Sequence, residues 1–220
     1  MVLTHDDFIG EIYTLYAHLA DLAEGIETGT HVARGQRIGR MGNTASTGIP
    51  MIRAHLHFEI GVFFNQHFED WGRQRFKNGL NHGVAHGWNL APVDPLAVYG
   101  AEGMPLRFSM AEHLVTRAPA FCLGFATTEK PDYFKRYPLL WQGGEQPFQA
   151  IVLGVSEGGV PLWGRPATQS EHEPGARNRP VVTAVDPVLL GRNGMRLIQP
   201  AGAGWQLSTL GQRWLDILVY

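Results

Sequence analysis

The side chains best able to do chemistry in this chain are His18 and the pair His55 and His57. The pair lies in Ala54–Val62 (AHLHFEIGV), which alternates apolar and polar residues and so reads as a half-buried β-strand. On such a strand Leu56, Phe58 and Ile60 share one face, and His55, His57 and Glu59 share the other. Two residues apart, the imidazoles stand ~6.5–7 Å from each other along the chain. One ring can bind a metal ion while the other reaches the metal-bound water or a substrate. Two solvated histidines on a half-exposed strand have the same spacing, so His-x-His alone leaves both readings open.

The elements around these residues are short. Ile12–Leu19 (IYTLYAHL) is rich in strand formers and carries His18. Val32–Gly39 reads as two short strands around a turn at Gly35. The glycine content of the whole chain, 27 residues, points to many turns and hence to β-structure, and residues 1–62 read as strands and tight turns. Residues 63–92 are aromatic and polar, with His67, His82 and His86 among Asn, Gly and Arg, and are predicted to form a long loop or lid. Pro92-Val93-Asp94-Pro95 then marks a boundary, so the predicted units are 1–100 and 101–220.

The second unit reads as a small α+β domain. Ser109-x-x-Glu112 is a capping box that opens a short helix through about Arg117. Phe148–Val155 and Val160–Gly164 flank a Ser-Glu-Gly-Gly turn, a hairpin pattern. Arg165–Pro180 is polar and proline-bearing, an expected exposed loop. Ser208 can cap a final helix whose Leu210, Trp214, Ile217 and Leu218 share one face, as core residues do.

Composition narrows the function classes. With 44% hydrophobic and 17% charged residues the chain has the makeup of a soluble globular protein. A formal net charge of -2 gives no reason to expect nucleic acid or an anionic membrane as partner. No apolar run approaches the ~18 residues of a transmembrane helix. The N-terminal MVLTHDDF lacks the basic start, apolar core and cleavage site of a signal peptide. Cys122 is the single cysteine, so no internal disulfide is possible; its apolar neighbours suggest a buried strand and a packing role rather than a nucleophile.

Taken in order, Tyr16-Ala17-His18-Leu19, Gly35-Gln36-Arg37-Ile38-Gly39, Gly42-Asn43-Thr44, Ser46-Thr47-Gly48 and His55-Leu56-His57-Phe58-Glu59-Ile60 form a specific set. The set resembles the C-terminal half of the lysostaphin-like zinc metallopeptidases, over residues 2 to about 62, with Val93-Asp94-Pro95-Leu96 echoing the segment that follows. The resemblance implies a mainly β protein: an antiparallel lysostaphin-like sheet core with a groove across it. It also implies an enzyme that cuts peptide cross-links in bacterial peptidoglycan, outside the cytoplasm, in a periplasmic or extracellular setting. By position His57 is implied as a zinc ligand, and His18 and His55 as catalytic histidines that do not bind the metal.

The family's other two zinc ligands come from an upstream H-x-x-x-D motif. Only seventeen residues precede His18, and His5-x-Asp7 has the wrong spacing; Asp6–Gly10 reads instead as an exposed hairpin turn. Catalytic zinc needs three protein ligands. The expectation is a truncated chain, with two ligands upstream of it and no competence as it stands. Ligands from His67, His82 or His86, or from another chain, are the other source. The runner-up function is a non-catalytic module of the same fold that binds peptidoglycan or activates a hydrolase. A lipoyl-like carrier is set aside, because the chain has no lysine before Lys77 to carry the group. His31, His113 and His172 read as surface residues, and Trp71, Trp88 and Tyr99 as packing aromatics.

Overall fold

The computed structural model describes residues 1–7, 10–77, 79–100, 108–144, 146–168, 171, 179–192 and 196–220. The first half begins as a β-meander. Strands β1 (Val2–Asp7) and β2 (Gly10–Ala17) pair antiparallel from Val2↔Leu15 to Asp7↔Gly10. A short ribbon follows, β3 (Leu19–Leu22) against β4 (Gly39–Met41), pinned by Arg40 on Asp21 at 2.6 Å. Strand β5 (His57–Phe63) returns beside β2, and β6 (Leu90–Val93) closes the sheet in the order β1-β2-β5-β6.

Alternation explains which face of β5 goes where. Ile60 and Val62 enter the main core with Ile12 of β2. Phe63, on the opposite face, packs with Tyr13 and Leu90. The strand starts exposed at His57 and is fully buried from Ile60 onward, so one end of it offers side chains to solvent and the other anchors it. Two expectations change here. Leu56 precedes the strand and is 43% exposed instead of joining Phe58 and Ile60 inside. Val32–Ile38 contains no strand: Gly35 takes the left-handed conformation of a turn (φ 77°), Gln36 N–H bonds Ala33 C=O, and pairing resumes only at Gly39.

Residues 63–92 are not a loop or lid. Phe64, Phe68 and Trp71 are at most 2% exposed, and helix α1 (Phe68–Arg75) carries the last two inward at i, i+3 spacing. The polar residues that suggested a lid do structural work. Asn65 donates to the Ile217 carbonyl (2.8 Å), Asn89 donates to the Asn65 carbonyl (3.0 Å), and Trp71 Nε1 donates to Asp216 (2.9 Å). Arg136 donates to the carbonyls of Phe63 and Phe64, at 2.9 and 2.8 Å. A buried amide with its bonds made can sit where composition alone suggests solvent.

The second half follows its sequence closely. Helix α2 (Pro95–Tyr99) is capped by Asp94, and α3 (Met110–Val115) by Ser109, whose hydroxyl accepts from Glu112 N–H. Strand β7 (Phe121–Ala126) precedes α4 (Asp132–Arg136). The expected hairpin is β8 (Ala150–Val155) with β9 (Pro161–Pro166), and β10 (Val181–Val185) completes a sheet ordered β10-β7-β8-β9. After α5 (Pro187–Leu190) come the ribbon β11 (Ile198–Ala201) and β12 (Gly204–Leu207), then α6 (Thr209–Leu218), capped by Ser208. Every named strand pair is antiparallel. Cys122 lies in β7 as expected but is only half-buried, and its burial pushes the thiol up, away from nucleophile character. The segment read as a loop from Arg165 begins inside β9; Arg165 and Glu171 form a two-toothed ion pair (2.8 and 2.6 Å), and 169, 170 and 172–178 lie outside the described residues. One buried cluster contains Ile60 and Trp71 from the first half with Leu114, Leu153 and Trp214 from the second.

Candidate active site

The strand carrying His18 ends one residue before it. Ala17 pairs with His57 as the last rung of the β2–β5 ladder, and the chain then turns into β3. His18 makes the turn in the left-handed region, φ 61°, a conformation that costs a side-chain-bearing residue roughly 1–2 kcal/mol. His55 follows the 3₁₀ turn Met51–Arg53 and lies just before β5, while His57 is the strand's first residue. His55 therefore lies outside β5, and the expected strand step from His55 to His57 does not belong to the sheet.

The rings of His55 and His57 both stand against that of His18. The His18 ring centroid lies 4.8 Å from that of His55 and 5.8 Å from that of His57. Gly42 sets this spacing. Its N–H donates to the His18 carbonyl (2.7 Å), and its carbonyl accepts from His55 N–H (3.2 Å). A Cβ there would stand 2.7 Å from the backbone nitrogen of Ala20 and 2.6 Å from its Cβ, so only glycine allows the approach. Thr44 adds a second tie, its hydroxyl donating to the Leu19 carbonyl at 2.8 Å. Asn43 closes the loop by donating to the Ile49 carbonyl at 2.6 Å. The Gly42-Asn43-Thr44 run thus holds the histidines through backbone contacts.

In two of the three rings one nitrogen has a partner that fixes its proton. Nδ1 of His18 lies 2.6 Å from the Thr44 carbonyl oxygen, and Nδ1 of His55 lies 2.8 Å from that of Arg53. A carbonyl only accepts, so both Nδ1 atoms carry hydrogen and the neutral rings keep their lone pair on Nε2. His57 has a carboxylate beside it, with Nε2 3.1 Å from Glu59 Oε1. Glu59 Oε2 in turn accepts from the hydroxyl of buried Tyr13 at 3.3 Å, and burial, followed by the charge of Glu59, pushes that phenol far up. Glu59 was legible as a polar-face neighbour of the pair. Tyr13 was not, because its partner is 46 residues away in sequence.

Chemically, two imidazoles with Nε2 lone pairs can accept a proton from water or a substrate and return it to a leaving group. A metal centre is a different matter. Among the described residues no group of three or more His, Cys, Asp or Glu is placed to hold a metal ion, so the donor set does not fit a three-ligand zinc site. His5 is engaged with Thr14 Oγ1 (2.8 Å) and not with the histidine group. His86 is stacked between Phe68 and Phe76 (5.5 and 5.1 Å) and accepts from Trp88 N–H; His67 and His82 are exposed. Trp71 is buried, Trp88 lies under the Arg213 guanidinium at 4.0 Å, and Tyr99 packs on Phe58, the packing roles expected of them. His31 is exposed, His113 is half-buried on α3, and His172 falls outside the described residues.

Comparison with known proteins agrees with the histidine pattern. The profile of Peptidase family M23 matches residues 1–69, the part that contains all three histidines. No curated protein and no solved structure matches the chain. No helix among the described residues is long and apolar enough to cross a membrane.

Proposed function

Since residues 1–69 belong to peptidase family M23, we propose that this chain carries the histidine side of a zinc metalloendopeptidase site for peptide cross-links in peptidoglycan. The observation that carries this reading is the convergence of His18, His55 and His57, with ring centroids 4.8 and 5.8 Å from His18. Two histidines with Nε2 lone pairs, beside a third whose ring centroid stands 5.8 Å from that of His18, divide into proton carriers and a ligand. On this reading His18 and His55 move protons, and His57 holds zinc with two further ligands that the described residues do not supply. Residues 1–100 then form the peptidase part, and 101–220 a second unit that braces it through the shared core. A periplasmic or extracellular setting follows from the substrate.

A second reading has an observation of its own. The lack of a three-ligand group among the described residues favours a module that binds peptidoglycan, or activates a hydrolase, without catalysis. One experiment separates the two. The chain, alone and joined to a segment bearing H-x-x-x-D, is assayed for zinc content and for cleavage of a panel of cross-link peptides. Zinc binding with cleavage in the joined form supports the peptidase. Full zinc occupancy with no cleavage makes the binding module the better reading.

A further inference from the structure

A cleft of about 340 Å³, lined by none of His18, His55 and His57, opens where β6 meets the second half of the chain. Val93 ends β6 and Asp94 follows it; α3 brings His113 and Leu114, with Arg117 just beyond; Glu157 comes from the β8–β9 turn, and Arg192 follows α5. We propose that this cleft binds a free α-amino acid with an aliphatic side chain, its carboxylate held by Arg192 and Arg117 and its ammonium by Asp94 and Glu157.

The charges of the cleft are poorly matched among themselves. Arg117 reaches Glu157 only at 3.5 Å, the outer limit of a hydrogen bond, with the two side chains 31% and 18% exposed. Asp94 Oδ1 accepts from Leu96 N–H at 2.9 Å, and among the described residues Oδ2 has no partner. Among the described residues Arg192 makes no ion pair. Half-buried charges without close partners carry a desolvation cost, which a ligand offering a close opposite charge offsets. His113 adds no charge at neutral pH: burial, then the charge of Arg117, lowers its pKa against the opposing effect of Asp94. The cleft therefore balances Arg117 and Arg192 against Asp94 and Glu157. A simple anion would meet the carboxylates and a simple cation the guanidiniums, whereas a zwitterion finds an opposite charge at each end. Val93, Leu114 and Leu162 supply the apolar wall for an aliphatic side chain. The volume is at the small end of ligand clefts, which suits one amino acid and not a polymer. The proposal does not depend on the peptidase reading, since the histidines take no part in it.

The test is calorimetry on the full chain at neutral pH without metal, with four probes: leucine, leucinamide, N-acetylleucine and inorganic phosphate. Leucine should bind one-to-one. The other three each lack one of the two charges, or the side chain, and should bind at least about tenfold more weakly. Arg192→Gln and Asp94→Asn should each weaken leucine binding by about tenfold or more. Asparagine still caps α2, so the second change removes the charge and keeps the helix start. Arg192 is exposed, so its variant serves if the Asp94 variant does not fold. Absence of leucine binding, any of the other probes binding as tightly as leucine, or a leucine affinity unmoved by both substitutions would overturn the proposal.

Discussion

Nδ1 of His18 lies 2.6 Å from the carbonyl oxygen of Thr44, 26 residues further along the chain. The bond holds a ring whose backbone is in the left-handed region at φ 61°. His18→Gly and His18→Ala both remove the ring and the bond, but only glycine relieves the backbone. The glycine variant should therefore be the more stable of the two by roughly 1 kcal/mol in urea unfolding. An alanine variant as stable as the glycine one would argue against the left-handed turn.

The chain by itself should bind zinc weakly, because the described residues do not assemble three ligands. Calorimetry checks this; tight one-to-one binding through His57 and two groups of this chain would contradict it. In a form that does bind zinc, His57→Ala should remove the metal. His18→Ala or His55→Ala should retain it and lower kcat by about 10²–10⁴-fold.

Gly42 stands between the backbones of His18 and His55, with no room for a Cβ against Ala20. Gly42→Ala should cost about 1–3 kcal/mol, as overpacking does. It should also weaken the ring-to-ring nuclear Overhauser contact between the two histidines. An unchanged contact would mean that Gly42 does not set their spacing.

Trp71 is 1% exposed and hydrogen-bonded to Asp216. Trp71→Ala should destabilise the protein by about 3–5 kcal/mol. A mobile lid at residues 63–92 would instead leave the unfolding midpoint where it is.

Stability should fall on mild acidification. Burial lowers the pKa of His5, of His86 (with help from His82) and of His113 (with help from Arg117, against Asp94). The unfolded chain therefore takes up these protons first. Their contribution is complete above the unfolded value of ~6.5 and is lost as pH falls from there through the depressed folded values. Glu171 opens a second window at lower pH: its bond to Arg165 holds it at about 2 against an ordinary 4.5, so its contribution is present above 4.5 and lost between those limits. Urea midpoints from pH 7.5 to 5 test the first window. Replacing His86 by Asn, which can still accept from Trp88 N–H, should flatten it. A midpoint that holds steady over that range would contradict the assignment.

The sequence by itself determined the candidate site residues and the local elements. His18, His55 and His57 declared themselves by type and spacing, and Ser109 and Ser208 cap the helices they announced, because a cap is a contact within one turn. The β8–β9 hairpin was legible for the same reason: its turn and its alternation are local. Residues 63–92 were misread because burial there depends on distant partners: Asn65 finds its acceptor at Ile217, and Trp71 at Asp216. The route by which the histidines meet was equally hidden. Strand alternation alone set His55 and His57 side by side, whereas the 3₁₀ turn, the left-handed His18 and the close approach of Gly42 bring all three rings together. Which nitrogen of His18 and of His55 keeps its lone pair was decided only by tertiary structure, since it depends on the backbone carbonyl that Nδ1 of each ring faces, for His18 that of Thr44.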